Sequence, residues 1–262
     1  MRAISWNVNS MRTRLERVRG VLDRHKPDLL CLQETKVQDA DFPHEAIAEI
    51  GYRAAVHGQK TYNGVALLHP IEGPDLEDVR CGFDGDPAPE QARVISCIAD
   101  GVRWINVYII NGKDLGTDKY ELKMRWLDAL RSWMDKEFSS SDPLVILGDF
   151  NIAPEDRDVH DPDKWRGKIH FSEQEHAQLA AFHDWGLTDL FRKHHEDAGL
   201  YSWWDYRGGA FPRDLGLRID LALGTEKAAA RCIGSSMDRD ERKKGDWEAK
   251  PSDHIPVLVD LE

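Results

Sequence analysis

Gly148-Asp149-Phe150-Asn151 and Ser252-Asp253-His254 each adjoin a strongly apolar run. Leu144-Val145-Ile146-Leu147 leads into the first, and Ile255-Pro256-Val257-Leu258-Val259 leads out of the second. Short apolar runs bounded by Gly or Pro read as buried strands, and strand ends are where open α/β sheets bind ligands. An Asp-x-Asn and an Asp-His at two such ends could handle a metal and a phosphate. Two earlier strand ends carry Asn7, after Ile4-Ser5-Trp6, and Glu34, after Leu29-Leu30-Cys31-Leu32-Gln33. Hydrolysis of a phosphodiester needs a cation for the phosphate oxygens, a base for the attacking water and donors for the transition state. Glu34, Asn7, Asp253, Asp149 and Asn151 offer oxygen ligands only, which suits Mg²⁺ or Mn²⁺ better than zinc.

Taken singly, these residues have plainer readings. Glu34-Thr35-Lys36 fits an exposed strand end. Asp149-Phe150-Asn151 fits an Asx-turn, and a His before a strand is more often structural than catalytic. Tyr201-Ser202-Trp203-Trp204 fits core better than a base-stacking or sugar-walling surface. Asp220 demands more, because it lies inside Leu217-Arg218-Ile219-Asp220-Leu221-Ala222-Leu223. A carboxylate there is costly unless partnered. Pairing with His254 would supply the partner, fix the tautomer and favour the imidazolium.

The elements that must hold these groups follow from periodicity. Strands are expected at 3–8, up to Leu32, at 52–56, 65–68, 93–99, 102–109, 201–204, 217–223 and 255–261. The Asp100-Gly101 dipeptide between two of them signals a hairpin. Met11–His25 reads as a helix with Leu15, Val18 and Leu22 on one face and Pro27 beyond its end. A short helix, 43–50, stops at Gly51. Thr117 can cap a long helix with Leu127, Leu130, Met134 and Phe138 on one stripe, and Ser172 with Glu175 forms a capping box for another ending near Gly186. Residues 71–89 are rich in Gly, Pro and Asp and read as a loop. Arg12, Arg14, Arg17 and Arg19 read as a solvated helix face. This mixture predicts two mixed β-sheets packed face to face with helices on the outside.

The bulk numbers are compatible with that. The chain has 262 residues, 41% hydrophobic and 31% charged, and nothing resembling a linker or repeat, so one domain over 1–262 is expected. No apolar stretch nears the roughly 18 residues of a membrane span, and no leader is evident. Cytoplasmic residence and a monomer are the default expectations. The four cysteines lie far apart without a C-x-x-C pair and fit reduced thiols. A net charge of −12 argues weakly against nucleic acid, because net charge is silent on its distribution.

Order adds specificity. Asn7, Gln33-Glu34-Thr35-Lys36, Asn106-Val107-Tyr108, Gly148-Asp149-Phe150-Asn151, Arg218-Ile219-Asp220 and Ser252-Asp253-His254 follow one another along the chain. Gly58-Gln59-Lys60, Gly64-Val65-Ala66-Leu67-Leu68, Trp126-Leu127-Asp128-Ala129-Leu130 and Trp203-Trp204-Asp205-Tyr206-Arg207 accompany them. From Arg2 to Leu261 the sequence resembles the exonuclease III and apurinic/apyrimidinic endonuclease family of the endonuclease/exonuclease/phosphatase superfamily. The metal and His motifs are common to the superfamily, whereas the Trp203–Tyr206 segment points to the DNA-repair branch.

The resemblance implies a four-layer α/β sandwich with its site at one end of the two sheets. It implies a Mg²⁺ site (Mn²⁺ as substitute) with Glu34 as main ligand and Asn7 and Asp253 close by. Asp149 would orient and deprotonate water, Asn151 would hold Asp149 and touch the phosphate, and Tyr108 would bind the phosphate or aid the leaving group. His254, paired with Asp220, would donate to a phosphate oxygen. Asp149, His254 and a tyrosinate all stay open as the base. Arg12, Lys36, Lys60, Tyr62, Arg93 and Asn111 would grip DNA. Trp203, Leu217 and Ile219 would wall an apolar pocket for a flipped-out abasic sugar, which has less stacking to lose. The implied activity is incision 5′ of abasic sites in double-stranded DNA, with 3′→5′ exonuclease trimming. The rivals are a small-molecule or lipid phosphoesterase on the same scaffold and a non-catalytic nucleic-acid-binding regulator. Two departures stand out: Ile109-Ile110-Asn111 lacks the Pro frequent before the polar residue, which bears on loop stiffness and on how tightly DNA is held, and Trp204 is bulkier than usual.

Overall fold

The computed structural model describes all 262 residues. One six-stranded sheet runs β11-β12-β1-β2-β4-β3, formed by Cys232–Met237, Val257–Leu261, Arg2–Asn7, Leu29–Gln33, Val65–Pro70 and Tyr52–His57 in that order. The other, also six-stranded, runs β5-β6-β7-β8-β10-β9, formed by Glu77–Cys81, Val94–Ala99, Val102–Tyr108, Leu144–Asp149, Asp220–Thr225 and Leu187–Asp189. Both sheets are mixed: β1·β2 and β7·β8 pair parallel, and their other neighbours pair antiparallel.

Period-two alternation sorts the strands' side chains into layers. Ala3, Cys31, Val145 and Leu147 join Leu67, Cys97, Trp104 and Ala222 in a cluster between the sheets. Their neighbours Ile4, Leu30 and Leu32 face outward onto Met11, Val18, Val21 and Leu22 of α1 (Met11–His25). On the other side, Leu144 and Ile146 face Trp126, Leu127 and Leu130 of α3 (Asp118–Glu137) and Leu179 and Phe182 of α5 (Glu173–Asp184). The order helix, sheet, sheet, helix is the predicted four-layer sandwich. Short helices α2 (His44–Ala48), α4 (Pro162–Trp165) and α6 (Glu226–Arg231) complete it.

Three hydrogen bonds made by Asn106 cross the apolar middle. Gln33 Nε2 donates to Asn106 Oδ1 at 2.7 Å, and Asn106 Nδ2 donates to the Leu32 and Ala66 carbonyls at 3.0 and 3.1 Å. Unlike methyl contacts, these bonds have one geometry, so they fix how the sheets sit upon each other.

Four expectations need correction. The 71–89 loop contains β5, an edge strand whose residues are all exposed, so no apolar pattern betrays it. Residues 201–204 form no strand; Trp203 makes isolated bridges to Leu217 and His254 instead. The 217–223 strand starts only at Asp220, which makes Asp220 its first residue rather than an interior one. The arginine-rich face of α1 is not uniformly solvated. Arg12 is exposed and Arg19 half-buried, but Arg14 and Arg17 are buried. Arg17 donates to the carbonyls of Glu241, Lys243, Lys244 and Ala249 and pairs with Glu241, pinning the segment that leads to Ser252.

Candidate active site

Register assembles the site. Across β7, β8 and β10, Tyr108 stands opposite Asp149 and Asp149 opposite Asp220. Two carboxylates side by side in a buried row repel, and a third group must settle them. The Trp203–His254 bridge brings that group. His254 Nδ1 lies 2.9 and 3.1 Å from the Asp220 oxygens, and its Nε2 lies 3.7 Å from Asp149 Oδ2. The ligating atoms of these three residues fall within 4.8 Å of one another, and Glu34 and Asp253 lie outside that group. With Nδ1 bonded to Asp220, His254 turns Nε2 toward Asp149 without hydrogen bonding to it.

The local backbone is built for the approach. At Gly148, φ is +145°, and a Cβ there would overlap the Val107 carbonyl of the adjacent strand, so only glycine lets β8 deliver Asp149. After Asp149 the chain enters the left-handed region at Asn151, φ 52°. This turn brings Asn151 N to Asp149 Oδ1 at 2.9 Å and Asn151 Nδ2 to Asp149 Oδ2 at 3.2 Å. In the other sheet Glu34 and Lys36 are also left-handed, at φ 55° and 54°. Gly64, at φ 90°, makes room for the Thr35 side chain. Several non-glycine residues in this conformation at one end of the sandwich mark a site whose surroundings hold strain in place.

Hydrogen bonds tie the two halves together. Asn7 Nδ2 donates to Asp149 Oδ2 at 2.9 Å. Asn9, which the sequence reading passed over, donates from its backbone to Asn7 Oδ1 and from Nδ2 to Asp253 Oδ1, and it accepts from Lys36 at 2.6 Å. Lys36 also pairs with Glu34 at 3.2 Å. The signal for Asn9 was available: a third oxygen-bearing side chain two residues past Asn7. Asp253 accepts from Trp203 Nε1 at 3.1 Å, so the expected pocket wall also orients a carboxylate.

Electrostatics distribute the roles. Burial lowers the His254 pKa, but Asp220 and then Asp149 outweigh it and push it up to about 10, so His254 is an imidazolium at neutral pH. Burial, with Asp220 adding, raises Asp149 to about 7 against the pull of His254 and Asn7. Tyr108 is held well above its ordinary value by burial and by Glu34 and Asp149, so the phenol keeps its proton. Arg93 stacks over the Tyr108 ring at 4.8 Å and donates to the Tyr108 carbonyl. The carboxylates of Glu34, Asp149, Asp220 and Asp253 outnumber the cations of Lys36, Arg93 and His254. This surplus and the all-oxygen ligand chemistry fit a hard divalent cation.

The expected DNA-facing residues divide into three groups. Tyr62, Arg93 and Asn111 line one groove of about 550 Å³ with Lys113 and Lys119, two cations that the sequence reading did not single out. Leu217 and Ile219 pack with Phe171, Val159 and Ala153, with Trp203 against them. Arg12 stands apart, on a separate groove along α1, paired with Asp41 at 3.2 Å. Arg93 is buried rather than free, because it serves Tyr108. Lys60 is exposed. His170 also went unread: its ring lies 6.4 Å from that of Trp203, and its Nδ1 donates to the Asn151 carbonyl at 2.7 Å. Burial, reinforced by Lys123, lowers its pKa to about 4, so it is neutral. Bulky Trp204 is fully buried, donating to Asp214 under the Arg239 guanidinium.

Comparison with known proteins identifies relatives in sequence and in fold. Exodeoxyribonuclease III of Haemophilus influenzae is 35% identical over 274 aligned residues covering all of both chains. A 3′ phosphatase from Neisseria, solved with a product DNA hairpin, superposes with a TM-score of 0.93 at 41% identity, over 100% of this chain and 99% of that one. An AP endonuclease from Archaeoglobus fulgidus superposes at 0.91 with 36% identity, over 100% and 99%. A family profile matches residues 4–254. On sequence and on fold alike, this chain belongs to the Endonuclease/Exonuclease/phosphatase family.

Proposed function

We propose that this chain is a Mg²⁺-dependent DNA-repair phosphodiesterase that incises 5′ of abasic sites, leaving a 3′-hydroxyl, and also removes 3′-terminal nucleotides. The observation that carries the reading is the row Tyr108, Asp149, Asp220 closed by His254. The names of its relatives, a nuclease, a 3′ phosphatase and an AP endonuclease, support DNA as substrate.

In this reading the open choice of base resolves to Asp149. His254 is charged and Tyr108 protonated at neutral pH, so neither can accept a proton from water. Asp149 titrates near neutrality, and Asn7 and Asn151 aim its oxygens. His254 donates from Nε2 to a non-bridging phosphate oxygen, held in charge and tautomer by Asp220. Tyr108 and Asn151 donate to the phosphate and leaving oxygen. Glu34, Asn7 and Asp253, with Asp149 and Asn151 within reach, would hold the cation. Bound there, it would neutralise charge on the phosphate and the departing oxygen. Lys36, Lys60, Tyr62, Arg93 and Asn111 take the DNA backbone, and Arg12 extends that surface. Trp203, Leu217 and Ile219 wall the sugar pocket.

A second reading shifts the balance toward 3′ ends. The His170 ring sits beside Trp203 and Asn151, where a flipped sugar would enter. In this reading the ring would leave less room for an internal abasic residue than for a frayed terminus. One assay separates the two readings: a 5′-labelled duplex with a central abasic analogue, an intact duplex and a 3′-phosphate duplex, each with Mg²⁺ or EDTA. Fast cleavage at the lesion supports the first reading. Preference for the 3′ ends, relieved by His170→Ala, supports the second. No metal-dependent cleavage of any duplex refutes both and favours a small phosphoester.

A further inference from the structure

Lys123 on α3 and Glu175 on α5 form an ion pair with no exposure of either side chain. The carboxylate does not depend on the ammonium for its hydrogen bonds. Glu175 Oε1 also accepts from His170 N at 3.0 Å, and Oε2 accepts from Ser172 N and Oγ at 3.0 and 2.7 Å, closing the capping box of α5. The helices do not depend on the pair for adhesion either, since Trp126, Leu127, Leu179 and Phe182 already share one apolar cluster. A buried ion pair used only as glue is a poor bargain against an apolar pair of similar volume.

What an apolar side chain could not do is donate. Lys123 Nζ donates to the Asn151 carbonyl at 2.8 Å and to the Asn111 carbonyl at 3.4 Å. These are the loops that leave β7 and β8. Their two asparagines are also joined side chain to side chain, Asn111 Nδ2 to Asn151 Oδ1 at 2.9 Å. Asn151 in turn presents Nδ2 to Asp149 from its left-handed backbone. Remove the ammonium and the Asn111 carbonyl loses this donor, while the Asn151 carbonyl keeps only His170 Nδ1 in a buried space beside a carboxylate. The cheapest relief is rotation of the Asn151 peptide, which swings its side chain off Asp149.

We propose that Lys123 and Glu175 are a positioning pair for hydrolysis: Glu175 fixes the ammonium, and the ammonium fixes the Asn151 backbone and so the aim of Asn151 at Asp149. Neither touches substrate. The proposal rests on Asp149 and Asn151 acting as described under the proposed function.

The test is a double-mutant cycle on single-turnover cleavage of an abasic or 3′-phosphate duplex, using Lys123→Met, Asn151→Ala and the pair combined. Thermal melts confirm that each variant is folded. Glu175→Gln, nearly isosteric, replaces Lys123→Met if the latter does not fold. Lys123→Met should slow cleavage by about 10–100-fold, the scale of a misplaced catalytic group. The combined variant should be no slower than Asn151→Ala alone, because the pair acts through that side chain. Losses that multiply in a folded double variant would overturn the proposal, as would an unchanged rate in Lys123→Met. A wild-type chain without metal-dependent cleavage would instead overturn the underlying reading, so the two failures are distinguishable.

Discussion

Replacing Asp220 by Asn tests whether the buried Asp220–His254 pair exists to keep His254 charged. The Asp220 side chain has no exposure and His254 has 6%, so water can do little to compensate. The rise of the His254 pKa from 6.5 to about 10 corresponds to roughly 5 kcal/mol of preference for the imidazolium. Asp220, hydrogen bonded at 2.9 Å, carries the larger part, and Asp149, 3.7 Å away, the rest. Asn keeps an acceptor for Nδ1 but removes the charge. The His254 pKa should then fall by about two units or more. The sign follows from the direction of the shift. A raised folded-state pKa gives stability that is complete below 6.5 and lost as pH rises through about 10. The wild type should therefore hold its rate from pH 7 to 9 while its melting temperature falls across that range, because this contribution shrinks steadily between 6.5 and 10. Asp220→Asn should lose about tenfold or more in rate at pH 9 and far less at pH 6.5. Its melting temperature should vary less between those pH values than that of the wild type, because less of the shift remains to be lost. The assay is single-turnover cleavage of a duplex with a chemically stable abasic analogue in Mg²⁺ across that range, beside differential scanning fluorimetry. A profile parallel to wild type at all pH values would refute the idea that Asp220 sustains the charge.

Other perturbations address the remaining parts. Asp149→Asn should cut hydrolysis by about 10²–10⁴-fold while leaving DNA affinity in EDTA unchanged; an active variant would remove Asp149 as base. Glu34→Gln should raise the Mg²⁺ concentration for half-maximal rate by at least about tenfold, and an unshifted titration would move the main ligand elsewhere. Gly148→Ala places a methyl against the Val107 carbonyl at φ +145° and should cost about 3 kcal/mol or more in urea unfolding. Arg17→Met frees four carbonyls of the 241–249 strap. Hydrogen exchange should show that strap losing protection before α1, and uniform protection would show that Arg17 is mere helix surface.

How much of this was legible in the sequence depended on whether a residue's partner was local. Strand ends carrying Asn7, Glu34, Asp149 and His254 were readable, because an apolar run next to a polar string is visible within ten residues. Ser172 with Glu175 was readable as a capping box, and the structure has both of its hydrogen bonds. That Glu175 would also meet Lys123, 52 positions away, was not. Asp220 was identified as needing a partner, since a carboxylate among Leu and Ile has no local remedy. The inward arginines were misread because a helix face of alternating Arg looks solvated. What draws Arg17 inward are carbonyls more than 220 positions distant. Strand β5 escaped because an exposed edge carries no apolar period, and β9 because three residues are too few to show one.

The polar tie across the sandwich has a bearing on how the molecule comes into being. Asn7 and Glu34 belong to the sheet that contains β12, Tyr108, Asp149 and Asp220 to the opposite one, and His254 is separated from Asn7 by nearly the whole chain. The Gln33–Asn106 bond is satisfied only when those sheets meet in one alignment. Pairings of such long sequence separation form late and slowly. Nascent or half-unfolded chains therefore hold the parts of a hydrolase without its chemistry. The capacity to cut nucleic acid requires the closure that brings the two sheets into that alignment.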